Sequence, residues 1–98
     1  MPGLLIGAAV ACGPQPQPQQ PPPPPDPVMA AVIDALAAQR DRMCACTDAT
    51  CVEAAEVAQF EWGFANKPVV DRARPTPAQA AVADALIEAT EACAHELR

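Results

Sequence analysis

The chain has 98 residues and a formal net charge of −6, with a pI near 4.4. That length allows one domain at most, and the acidic balance disfavours nucleic acid and anionic lipid surfaces as partners. Hydrophobic residues make up 51% of the chain, but much of that is alanine, and there are only one Trp, two Phe and no Tyr. Alanine favours helix and buries little area. A thin core is therefore expected, and chains this short usually need staples, metal or a partner.

The N-terminus reads as an address. Leu4 to Val10 form a short apolar run, followed by Ala11 and Cys12. Such a run ending in small residues suits a secretory signal and its cleavage site and is too short for a membrane span. The tetrapeptide Ala9-Val10-Ala11-Cys12 resembles the lipobox of bacterial lipoproteins. The resemblance covers about a dozen residues and implies a signal peptide over residues 1–12, lipidation of Cys12 and cleavage before it. It implies membrane attachment through the lipid and a place in the cell envelope, and it implies neither a fold nor an activity. Gly13 follows the cysteine where an acidic residue retains some lipoproteins in the inner membrane, so the outer membrane is expected. Family members usually carry Leu at the position of Ala9 and a basic residue before the apolar run, which Met1-Pro2-Gly3 lacks. Translation is therefore expected to begin upstream.

Residues 13–27 form the next segment, with PQPQPQQPPPPPDP from Pro14 to Pro27. Repeated proline fixes φ and removes backbone donors, so neither helix nor sheet can form. A disordered tether of polyproline II character is expected, roughly 40 Å long at about 3.1 Å per residue. Placed after a lipidated cysteine, it would hold the remaining domain, residues 28–98, away from the bilayer.

Three helices are expected in that domain. Asp26-Pro27 supplies an N-cap and a proline at the first helical position. Val28, Met29, Val32, Ile33, Leu36 and Met43 recur at helical spacing and carry the first helix to about Cys44. A turn over Cys46 to Thr50 offers Thr47, Asp48 and Thr50 as caps, the last forming a capping box with Glu53. The second helix runs on through Val52, Ala55, Val57, Phe60, Trp62 and Phe64, until Pro68 stops it. Its aromatics are expected to fill the middle of the core. Lys67 to Pro75 reads as a linker, with Val69-Val70 packing back. Thr76-Pro77-Ala78-Gln79 starts a third helix, whose apolar stripe is Val82, Leu86, Ala89, Cys93 and Leu97. No segment alternates with period two. The fold class is all-α, a small three-helix bundle.

Five cysteines are an odd number for an exported chain. With Cys12 consumed by lipid, Cys44, Cys46, Cys51 and Cys93 remain and can pair completely. In an up-down-up bundle all four fall at one pole. Of the three pairings, Cys44–Cys46 would close a very small ring and ranks last. Cys46–Cys51 with Cys44–Cys93 is favoured, because with Thr47 as N-cap the first two sit at N′ and N4 and meet as a hydrophobic staple does. The long link should contribute roughly 4 kcal/mol and the short one roughly 2. The same sulfurs admit a different use. Cys44, Cys46, Cys51 and Cys93, with His95, are candidate zinc or Cu(I) ligands, Met43 adding a soft donor, and Cys-x-Cys can be redox-active. A metal-handling or thiol-redox lipoprotein is thus the alternative function. The C-x-C-x4-C segment is similar to ones in small uncharacterised bacterial lipoproteins, which adds no function.

Nothing points to catalysis. The chain has no serine and one histidine, His95. A glycine-rich phosphate loop and a Ser/His/Asp set are both missing. Asp84, Glu88 and Glu91 line one side of the third helix without the loop geometry of a calcium site. No cofactor is expected. The leading expectation is a non-catalytic interaction or structural module in the envelope with a protein partner.

Overall fold

The computed structural model describes Gly13 and residues 20–98. The expected signal segment with Cys12, and positions 14–19 of the tether, lie outside the described residues. Residues 20–25 are exposed and belong to no helix or strand. The domain is all-helical: α1 (Pro27–Cys44), α2 (Ala49–Ala65), α3 (Lys67–Arg72) and α4 (Pro77–Glu96). Among the described residues no helix is long and apolar enough to cross a membrane.

Local chemistry sets the ends. Asp26 caps α1, its carboxylate accepting from the Met29 amide at 2.9 Å. Asp48 caps α2, accepting from the Cys51 amide at 2.8 Å. Each side-chain oxygen satisfies one amide that the first turn leaves without a partner. A reciprocal capping box opens α4, Thr76 Oγ1 accepting from Gln79 N and Gln79 Oε1 from Thr76 N, both at 3.1 Å.

The stretch from Lys67 is not the linker that the sequence suggests, because its first six residues form α3. Asn66 ends α2, and its own carbonyl then accepts from Val69 and Val70 at 3.0 and 2.9 Å. Pro68 stops the longer helix and fits the first turn of the next, where no amide donor is needed and its fixed φ is already helical.

Helices α1 and α4 run parallel and make the closest packing in the domain, with α2 antiparallel beside α1. The core is split. One cluster at the C-terminal ends of α1 and α4 holds Met43, Cys46, Val52, Ala55 and Ala94. The other, toward their N-terminal ends, holds Met29, Val32 and Ala83, with Ile33, Leu36, Trp62 and Ala73 against it. The stripe of α4 differs from expectation: Gln79, Ala83, Leu86, Thr90 and Ala94 are buried, while Val82 is 48% exposed. Two parallel helices approach closely where small side chains meet, so Ala83 and Ala94 face α1 and the larger Val82 turns outward.

Gln79 ties the beginnings of α1 and α4 together. It is buried, and its Oε1 accepts from the Asp26 amide at 3.0 Å while its Nε2 donates to the Asp26 carbonyl at the same distance. The Asp26 carboxylate also accepts from the Arg74 amide at 3.0 Å. Gln79→Ala removes three hydrogen bonds at a partly buried site and should lower stability by about 2 kcal/mol, read from the urea midpoint.

The Asp26 carboxyl is held below its ordinary value of 3.8, chiefly by the Arg74 amide, then by that of Met29, with the Arg74 guanidinium adding attraction. A lowered folded-state value stabilises the fold above the unfolded value, and that contribution fades as pH falls below about 3.8 and through the folded value. Thermal melts of Asp26→Asn should therefore show a smaller loss of Tm between neutral pH and the acid side of 3.8 than the parent chain shows.

Candidate functional site

Two features stand apart from ordinary packing: the cysteine pole and the outer face of α2. At the pole, the end of α1, the start of α2 and the end of α4 converge. The structure joins Cys44 to Cys93, with Cα atoms 5.1 Å apart and a separation of 49 positions in sequence. It joins Cys46 to Cys51, with Cα atoms 5.4 Å apart. The cap that frames the short link is Asp48 rather than Thr47. Cys46 therefore lies two residues before the cap and Cys51 at the third helical position, one step from the staple positions. The turn at Thr47–Asp48 reverses the chain tightly enough for the two backbones to meet there.

Met43 lies directly beneath, 1% exposed, with Val52, Ala55 and Ala94 around it. Its thioether thus fills the core, and the four sulfurs are bonded to one another, a state in which they offer no thiolate to a metal. His95 is exposed near the end of α4. Among the described residues no group of three or more His, Cys, Asp or Glu is placed to hold a metal ion. Asp84, Glu88 and Glu91 are exposed on α4, and Glu91 lies 3.6 Å from Arg98.

Helix α2 presents two apolar faces. The inner one, Val52, Ala55, Gln59 and Trp62, leans on α1. Gln59 Nε2 is buried there without a hydrogen-bond partner. The outer face carries Val57 at 53% exposure, Phe60 at 75% and Phe64 at 77%. The aromatics of α2 were expected to fill the core, and Trp62 alone does so. The reason is geometric: α2 has a neighbour on one side, so residues three to four apart from Val57 onward point away from it. Spacings of three and four put all three on one strip about two turns long, roughly 10 Å. Sequence reading found the residues and misplaced them. The signal available was the apolar patterning on both sides of α2, which a helix packed on one side cannot bury.

Two open grooves flank Trp62. One, of about 360 Å³, lies between α1 and α2 and is floored by alanines, with Arg42 at its far end. The other, of about 350 Å³, lies among α1, α3 and α4, between Met29, Val70 and Ile87. Both are shallow spaces left by a core built from small side chains.

Comparison with protein-family models, with curated proteins and with solved structures finds no match for this chain. What fold and site define is a class only: a small all-helical domain cross-linked by two disulfides at one pole and bearing an exposed aromatic face.

The two links should differ in weight, since a cross-link restricts the unfolded chain more when it closes a longer loop. Replacing both Cys44 and Cys93 by Ala should lower stability by about 4 kcal/mol, and replacing Cys46 and Cys51 by about 2. Urea titration of the two variants beside the parent measures the difference.

Proposed function

We propose that this chain is a lipid-anchored protein of the bacterial envelope whose helical domain docks a protein partner and carries out no catalysis. The observation that carries the docking role is the outer face of α2. Phe60 and Phe64 are three-quarters exposed on a helix whose first turn is fixed covalently by Cys46–Cys51. Exposing two aromatics to water forfeits stabilisation of a few kcal/mol that burial would provide, and a thin-cored domain has little to spare. Contiguous apolar residues on such a surface mark an interaction site, and aromatics dominate the energetic centres of interfaces.

The address rests on other observations: the lipobox-like Ala9-Val10-Ala11-Cys12, the proline-rich segment after it, and the four cysteines that remain once Cys12 is set aside. Disulfides persist in oxidising compartments such as the periplasm. With Cys12 carrying lipid, the segment from Gly13 to Pro25 becomes a spacer that presents the α2 face at a distance from the membrane. Gly13 after the lipidated residue favours the outer membrane.

Site-specific photo-crosslinking in intact cells tests the docking role. A photoreactive residue at position 60 should give a discrete adduct with a protein, whereas one at the exposed Ala85 of α4 should not. Adducts of equal yield from both positions, or none from position 60, overturn it. Incorporation of a fatty-acid analogue that Cys12→Ala abolishes tests the anchor, and a native chain that takes up no label sinks it.

A further inference from the structure

The geometry points to a basic amphipathic helix as the occupant of the α2 outer face. This rests on the docking role proposed above and adds the partner's chemistry. Shape comes first. Val57, Phe60 and Phe64 form a straight strip with helical spacing, exposed along its whole length. A second helix laid along it meets the three anchors with residues of its own at three- and four-residue intervals.

Charge then selects the kind of helix. From Ala49 to Ala65 the sequence holds Glu53, Glu56 and Glu61 and no Lys or Arg. Glu53 stands one turn before Val57, and Glu61 one turn after it beside Phe60, both exposed. Among the described residues neither Glu53 nor Glu61 forms an ion pair, while Lys67 pairs with Asp71 at 2.9 Å and Arg98 with Glu56 at 2.8 Å. The strip is thus rimmed by two exposed carboxylates, Glu53 and Glu61, that have no ion-pair partner among the described residues. Lys or Arg flanking the anchors of the incoming helix would meet Glu53 and Glu61 at the rim, which steers association and fixes register. A second copy would set Glu53 and Glu61 of one chain against those of the other, and like charges so juxtaposed oppose binding. An anionic bilayer meets the same repulsion from a chain of net charge −6.

The test uses the full-length oxidised chain with Cys12→Ala, so that no lipid interferes. The probe is a fluorescein-labelled helical peptide of about five turns, with Leu anchors at the matching spacing and Lys beside them. One control carries Glu in place of every Lys, and another scrambles the Lys peptide. The Lys peptide should bind at least about tenfold more tightly than either control, and its affinity should fall several-fold as salt rises. Phe60→Ala with Phe64→Ala should abolish binding while circular dichroism and Tm hold, since both side chains are exposed. Glu53→Lys with Glu61→Lys should reverse the preference toward the Glu peptide. Equal binding of all three peptides, or binding indifferent to the Phe variants, overturns the inference. So does a dimer in sedimentation, or binding to phosphatidylglycerol vesicles, that depends on Phe60. If position 60 crosslinks to a protein in cells while the Lys peptide fails to bind, docking stands and the basic partner does not. If position 60 gives no crosslink, docking itself fails.

Discussion

The Cys44–Cys93 bond is the constraint on which the rest of the domain depends, because it clamps the ends of two parallel helices. Parallel neighbours place like ends of their macrodipoles side by side, an arrangement that is unfavourable by itself. Charges at both poles answer it. At the N-terminal pole the Asp26 carboxylate accepts from amides of Met29 and Arg74, close to where both helices begin. At the other pole Arg42 occupies the last turn of α1. The disulfide holds that pole covalently while Gln79 holds the opposite one through the backbone of Asp26. Neither helix can then slide or splay, even though few large side chains lie between them.

That rigidity compensates for composition. The side chains buried to 1% or less are Met43, Val52, Ala55 and Ala94, and two of these are alanines. Small residues let the backbones approach closely and leave little apolar area to stabilise the fold. The grooves on either side of Trp62 belong to the same economy, since alanines line spaces that larger side chains would fill. In such a domain a restricted unfolded chain takes over part of the work that burial does in larger ones.

Helix α2 is held differently. It has no disulfide at its far end, and it leans on α1 through one face only. The short Cys46–Cys51 link and the Asp48 cap fix its start. Its C-terminal half, with Phe60 and Phe64, projects beside the core rather than into it. The exposed aromatics therefore follow from topology. A layout that devotes its closest packing to α1 and α4 leaves the outer side of α2 without a neighbour.

Helix starts were legible in the residues alone. Asp26-Pro27 and Thr76-Pro77-Ala78-Gln79 cap by contacts within three residues, so no distant part of the chain bears on them. The even set of four cysteines and the absence of period-two patterning likewise fixed an all-helical, cross-linkable domain. The turn at Thr47–Thr50 was less decided, since three residues competed to cap α2 and only the reversal of the backbone selected Asp48. Pro68 was half-read, because a proline that ends one helix can also begin another. Tertiary structure alone determined which side of α4 faces inward, placing Ala83 rather than Val82 against α1. It also brought Gln79 onto the backbone of Asp26, a contact 53 residues apart in sequence, and left Phe60 and Phe64 in water. Caps depend on near neighbours along the chain, whereas burial depends on what lies across the gap, and periodicity gives the stripe without saying what it faces.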